Sequence, residues 1–244
     1  MARSDGRKAE ELRPVKIIPG FIGAPAGSAL LEMGRTRVVC TASVQDRLPP
    51  WLHKAQINGE ARGGWVTAEY SILPGATPQR TNREATMGKQ TGRTMEIQRM
   101  IGRALRAVVS LEGLGTRTIW VDCDVLQADG GTRTASITGG FVALMKALTA
   151  LQKQGILDKD PVKEYVAAVS VGVVGNEVLL DLDGREDKIA DADFNIVMTE
   201  SGKLVEIQGA AERNSFSRGQ LDRMLDAAGK GIAELIRMQK KALL

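Results

Sequence analysis

Histidine is nearly absent: the 244 residues contain one, His53, set in a polar stretch. A histidine-based triad or a His-rich zinc site has little to work with, so any chemistry must rest on arginines and carboxylates. Cysteine is almost as scarce. Cys40 and Cys123 each lie in an apolar run (Val38-Val39-Cys40 and Val121-Asp122-Cys123), which reads as two small core residues rather than a disulfide or metal ligands. No stretch approaches the roughly 18 apolar residues of a membrane span. The charged start, Met1 to Lys8, lacks the apolar centre of a secretion signal. The expectation is a cytoplasmic protein with no membrane partner.

What is there suffices for a core. The hydrophobic fraction is 43%, and a chain of this length buries roughly 70–75% of its unfolded surface as one large domain or two tightly joined small ones. Net charge is only +4, but its distribution is uneven. Between Arg80 and Arg106 stand seven basic residues (Arg80, Arg83, Lys89, Arg93, Arg99, Arg103, Arg106) against Glu84 and Glu96. Between Asp181 and Asp193 stand six acids against Arg185 and Lys188. A basic pole and an acidic pole suit a polyanion held near a divalent cation, although charge counts alone leave open whether the two surfaces meet.

Strand patterns dominate the first third. Residues 28–34 and 35–44 read as a hairpin turning at Gly34, 47–64 as a long loop, and 65–73 as the next strand. From Thr94 to Ser110 the apolar residues Ile97, Met100, Ile101, Ala104, Leu105 and Val108 recur at helical spacing, with Glu96, Arg99, Arg103 and Arg106 on the opposite face. The second half repeats this grammar. A strand over 118–126, a turn at Asp129-Gly130-Gly131 and a helix over 132–151 precede two hairpins, 166–174 with 178–182 and 192–199 with 203–207. A helix over 217–241 closes the chain. Hairpins interleaved with three long helices indicate an α+β fold rather than a doubly wound parallel sheet.

Two helix openings share a chemistry: Gly92-Arg93-Thr94, and Gly130-Gly131-Thr132-Arg133-Thr134 directly after a strand. A helix N-terminus presents unpaired N–H groups and partial positive charge, glycines allow close approach, and an adjacent arginine adds a permanently charged fork. Neither segment has Walker or dinucleotide-fingerprint spacing. The acidic run between 181 and 193 supplies candidates to seat a divalent cation. Asp181 and Asp183, just before Gly184, read as turn formers, while Asp122 and Asp124 share one strand face and rank lower.

The stretches Gly88-Lys89-Gln90-Thr91-Gly92-Arg93-Thr94-Met95-Glu96-Ile97-Gln98-Arg99 and Asp122-Cys123-Asp124-Val125-Leu126-Gln127-Ala128-Asp129-Gly130-Gly131-Thr132-Arg133-Thr134-Ala135 resemble the two signature runs of the ribonuclease PH family. Arg3, Asp5-Gly6-Arg7, Leu12-Arg13-Pro14-Val15 and Cys40-Thr41-Ala42-Ser43 resemble its start, and Val205-Glu206-Ile207-Gln208-Gly209 its C-terminal half. The resemblance implies a duplicated βαβα fold of the ribosomal protein S5 domain 2-like type, with residues 1–150 as one half and 151–244 as the other. It implies phosphate-dependent 3′→5′ trimming of transfer RNA precursors with Mg2+ and release of nucleoside diphosphates. It also implies a homo-oligomer, a hexameric ring built as a trimer of dimers. Matched by position, Arg93, Gly131, Thr132 and Arg133 would hold inorganic phosphate, Arg80, Arg83 and Arg99 would contact RNA, and Asp187, expected in a turn, and Asp193, entering the strand at 193–197, would be the catalytic, metal-holding carboxylates.

Three departures stand out. The loop over 56–63 is longer than the usual Gly-rich version, Gly75 stands where an arginine is common, and Lys188-Ile189-Ala190-Asp191-Ala192 replaces the usual small and acidic residues. Two rival readings accompany the leading one. A catalytically silent RNA-binding ring subunit would lack either the phosphate openings or the carboxylates, and both are present. A small-molecule nucleotidyl transferase would not need so many arginines between positions 80 and 106.

Overall fold

A computed structural model describes residues 3–244. The fold is α+β. Five strands form a first sheet: β1 (Val15–Pro19), β2 (Gly27–Met33), β3 (Thr36–Gln45), β4 (Trp65–Ile72) and β5 (Thr118–Gln127), in the order β1-β2-β3-β5-β4. Neighbours are antiparallel except β4 and β5, which run parallel and are joined through α2 (Gly92–Ala107). A second sheet, antiparallel throughout, has the order β7-β6-β8-β9, from β6 (Val166–Val174), β7 (Glu177–Leu180), β8 (Ala192–Thr199) and β9 (Leu204–Ala211).

Helix α3 (Thr132–Lys153) packs on β2, β3 and β5 of the first sheet and on β6 of the second, so one helix serves both. By length and composition it is apolar enough to cross a bilayer, a run the sequence reading passed over, but most of its apolar window is buried in the protein. It is a core helix. Helix α2 buries Ile97, Met100, Ile101, Ala104 and Leu105 against β4, the face its spacing foretold, each large side chain contributing about 1.5–3 kcal/mol. Arg106, expected on the solvated face, instead lies 4.3 Å over the Trp65 ring and donates to Val66 O at 2.8 Å. Helix α5 (Arg218–Leu243) covers β6 and β7, and its N-cap Ser217 forms a capping box with Gln220.

Two expectations are corrected. Residues 47–64 are not simply a loop: Pro50–Ile57 forms a helix, α1, started by Pro50 in its first turn. Only Leu52 on it is buried, which is why no apolar period betrayed it. Asp187 lies in a short helix, α4 (Gly184–Ile189), rather than in a turn.

Candidate active site

The site is built around one turn. Asp129-Gly130-Gly131 links β5 to α3, and both glycines have left-handed φ angles of 79° and 65°. A Cβ on Gly130 would stand 2.5 Å from Leu182 O, so only glycine lets this turn lie against the backbone leading into α4. The turn is bolted from three sides. Arg13 Nη1 donates to Asp129 O at 2.5 Å, Thr36 Oγ1 donates to Gly130 O at 2.8 Å, and Asp129 Oδ1 accepts from Gly184 N at 3.4 Å. Arg35 reaches Asp129 from the β2–β3 hairpin at 3.0 Å. Arginine pairing holds the Asp129 carboxyl below its usual range despite partial burial.

Helix α4 is anchored just as firmly. Asp183 caps it by accepting from Arg185 N and Glu186 N, and Glu186 returns the bond to Asp183 N at 3.0 Å. Buried Arg3 grips Glu186 through two nitrogens at 2.8 and 2.7 Å. Asp181, fully buried with φ of 54°, holds Arg13 at 2.7 Å. Asp181 and Asp183 are thus an ion-pair anchor and a helix cap, not simple turn formers.

These anchors bring the opening of α3, the side chain of Arg93 from α2, Asp187 of α4 and Asp193 of β8 around one cavity of about 1170 Å3. The openings of α2 and α3 turn out to differ. Thr91 caps α2 by accepting from Thr94 N, and Glu84 accepts from both threonine hydroxyls at 2.7 Å, while the Arg93 side chain lines the cavity. Helix α3 starts at Gly131 with no side-chain cap, and Gly131, Thr132 and Arg133 of this opening line the cavity. Ser170 Oγ, buried and without a hydrogen-bond partner among the described residues, lies under this opening.

Charge is arranged in two banks. Among the described residues Arg93 has no hydrogen-bond or ion-pair partner, and Arg133 donates only to the neutral amide of Gln208, at 2.8 Å. Both guanidiniums act on the same two groups, pulling down Tyr70 and Asp187 against the burial that pushes each up. Tyr70 is further tied to the site through a 2.9 Å hydrogen bond between its hydroxyl and Thr132 Oγ1. Burial raises Asp193 as well, and its neighbours Asp187 and Glu212 add to the rise. Sequence reading missed Tyr70, Ser170, Gln208 and Glu212, whose signals are single polar residues in strands or at a strand end. The Asp183-x-x-Glu186 capping spacing was legible and went unused.

The other candidates lie elsewhere. Arg80 is exposed, donates to Asn82 at 2.9 Å and stands outside this cavity, as does exposed Arg99 on α2. Arg83 lines an adjoining cavity of about 880 Å3, which shares the Arg93 wall. Asp122 and Asp124 line that second cavity, not the first, so they do not join Asp187 and Asp193. Burial raises Asp122, with Glu69 and Asp124 adding to it, and burial raises Asp124 against the pull of Arg83.

Two carboxylates share the cavity with two guanidiniums that have no ion-pair partner among the described residues, a donor set that fits a divalent cation taking one or two protein oxygens completed by water and phosphate. Among the described residues no three His, Cys, Asp or Glu side chains gather into a closed cage.

A family model described as the 3′ exoribonuclease family, domain 1, matches residues 11–149, and domain 2 of the same family matches residues 164–231. Ribonuclease PH of Syntrophomonas wolfei is 54% identical over 243 residues, covering 100% of this chain and 99% of its own. Ribonuclease PH of Bacillus pumilus is 56% identical over 239 residues, covering 98% and 96%. Two solved structures share the fold. Rice Rrp46 superposes with a TM-score of 0.78 at 18% identity, covering 99% of this chain and 100% of that one. The Archaeoglobus fulgidus exosome with RNA bound to the active site gives 0.78 at 24%, covering 99% and 92%. The duplicated S5 domain 2-like architecture is that of these neighbours.

Proposed function

This chain belongs to the ribonuclease PH family of 3′ exoribonucleases, and we propose that the cavity between Arg93, Arg133, Asp187 and Asp193 is where it performs that family's reaction. The enzyme is a phosphate-dependent 3′→5′ exoribonuclease that acts on RNA. Transfer RNA precursors are the proposed substrates, Mg2+ the proposed metal, and a homo-hexameric ring the proposed assembly. A cytoplasmic setting is proposed too, in keeping with two free, buried cysteines.

In this reading the two guanidiniums and the uncapped start of α3 bind inorganic phosphate and cancel its charge before it meets another anion. Thr132, held by the Tyr70 hydroxyl, and Gly131 line the bound anion. An oxygen of the phosphate attacks the phosphorus of the last phosphodiester. A P–O bond forms to the nucleophile, and the bond to the 3′ oxygen of the penultimate nucleotide breaks. The terminal nucleotide departs as a nucleoside diphosphate, and the 3′ oxygen takes up a proton to leave a hydroxyl on the shortened RNA.

Asp187 and Asp193 would hold the metal, which when bound neutralises the scissile phosphate's oxygens. Repulsion between them, to which Glu212 adds, is relieved by a divalent ion. Arg80 and Arg83, outside the cavity, are proposed to guide the RNA toward it, with Arg99 a lesser contact.

The observation that carries this reading is that two arginines without an ion-pair partner among the described residues and two carboxylates line one cavity. A silent ring subunit is not favoured, because both banks of the site are retained and the relatives named ribonuclease PH match along the full length. Product analysis tests it. Trimming of an RNA tail should require added phosphate and release nucleoside diphosphates; equal trimming in phosphate-free buffer, with monophosphate products, refutes it.

A further inference from the structure

Gln208 occupies a place that its own strand does not explain. It lies on β9, the edge strand of the second sheet, in register with Asn195 of β8, which is in register with Ser170 of β6. This polar row runs beneath the opening of α3. The Gln208 amide is held between opposite charges: Oε1 accepts from Arg133 Nη1 at 2.8 Å, and Nε2 donates to Glu96 Oε1. The orientation is therefore unique, since a flipped amide would set N–H against guanidinium and C=O against carboxylate.

Glu96 sits one turn after Arg93 on α2, so the same amide that steadies one arginine also ties down the helix end bearing the other. A second lashing repeats the pattern. Arg103, two turns further along α2, pairs with Glu206, two residues before Gln208 on the same strand face.

We propose that Gln208 is a positioning residue for the nucleophile: it sets Arg133 and the Arg93-bearing turn of α2 at a fixed separation, so that one phosphate meets both. The inference rests on the reading of Arg93 and Arg133 as phosphate ligands. A neutral amide fits this task, whereas a carboxylate would not. It orients Arg133 while leaving the full positive charge for the anion, and an arginine already tethered loses less freedom on binding.

The test is steady-state phosphorolysis of an RNA tail with phosphate and RNA varied separately, for the full chain and for Gln208→Ala, Gln208→Glu, Glu96→Ala, Glu96→Gln and Arg133→Ala. Gln208→Ala should raise the phosphate KM about tenfold and leave the RNA KM within about twofold. Glu96→Ala should shift the phosphate KM in the same direction, and Glu96→Gln, which keeps an acceptor, should stay closer to the parent than Glu96→Ala. Gln208→Glu should be worse than Gln208→Ala, because it neutralises Arg133 and repels Glu96. A raised phosphate KM in Arg133→Ala with an unchanged one in both Gln208→Ala and Glu96→Ala overturns the positioning role. An unchanged phosphate KM in Arg133→Ala refutes instead the assignment of the phosphate site. Should Gln208→Ala fail to fold, the contrast between Glu96→Ala and Glu96→Gln decides the matter.

Discussion

Arg13 and Asp181 form a buried ion pair at 2.7 Å, and the other terminal nitrogen of the same arginine donates to the carbonyl of Asp129 at 2.5 Å. One side chain thus joins the N-terminal segment, the strand end before α4 and the turn that opens α3. Breaking such a pair strands a buried carboxylate, which costs about 3–5 kcal/mol. Arg13→Ala should lower the melting temperature by roughly 10 °C and raise the phosphate requirement of whatever remains folded, because the turn at Asp129-Gly130 loses its clamp. Thermal unfolding checks this directly, and an unchanged melting temperature would contradict it.

That clamp marks the limit of what the sequence discloses. The apolar spacing of Ile97, Met100, Ile101, Ala104 and Leu105 displayed α2, and the Gly130-Gly131 pair displayed the opening of α3, because each is a local pattern over a few turns. Arg13 and Asp181 are 168 positions apart, and no period or propensity links them. Helix α1 escaped notice because a helix with one buried residue has no stripe. The openings of α2 and α3 are alike in composition and differ in their caps. Glu84, which accepts from the Thr91 and Thr94 hydroxyls at the first, lies outside the motif that suggested it. Gln208 was quoted within a family stretch, but its role depends on partners from two different helices.

The Asp187 and Asp193 carboxyls bind protons more tightly in the folded chain than an ordinary carboxyl does, burial being the main cause and crowding by Glu212 a further one. Folding is therefore favoured by these groups below the usual carboxylate range, and that advantage is lost as pH rises through their raised values. Asp193→Asn should cut turnover roughly a hundredfold yet raise the melting temperature at pH 7–8 by about 2 °C. The difference should close below about pH 4. Melting curves across pH give the answer, and a variant less stable than its parent at pH 8 would count against the electrostatic crowding.

Cys40 and Cys123 are register partners on β3 and β5, both buried, with their Sγ atoms directed at Ser136 O. The neighbouring Cys40 thiol and burial push Cys123 well above the ordinary thiol range, so little nucleophilic thiolate exists at neutral pH. The native protein should show no thiol reactive with an aromatic disulfide reagent over minutes, and both should react on unfolding. Rapid native-state labelling of either would contradict this packing.

The proposed chemistry requires Arg93 and Arg133 to serve one anion. Measuring phosphate and RNA KM separately for Arg93→Ala and Arg133→Ala, with a long single-stranded RNA tail, addresses it most directly. Each substitution should raise the phosphate KM on the order of tenfold or more, an effect of about 1.4 kcal/mol or above, while the RNA KM stays near the parent's. If either arginine shifts only the RNA KM and leaves the phosphate KM untouched, the two do not share a nucleophile, and the proposed site is wrong.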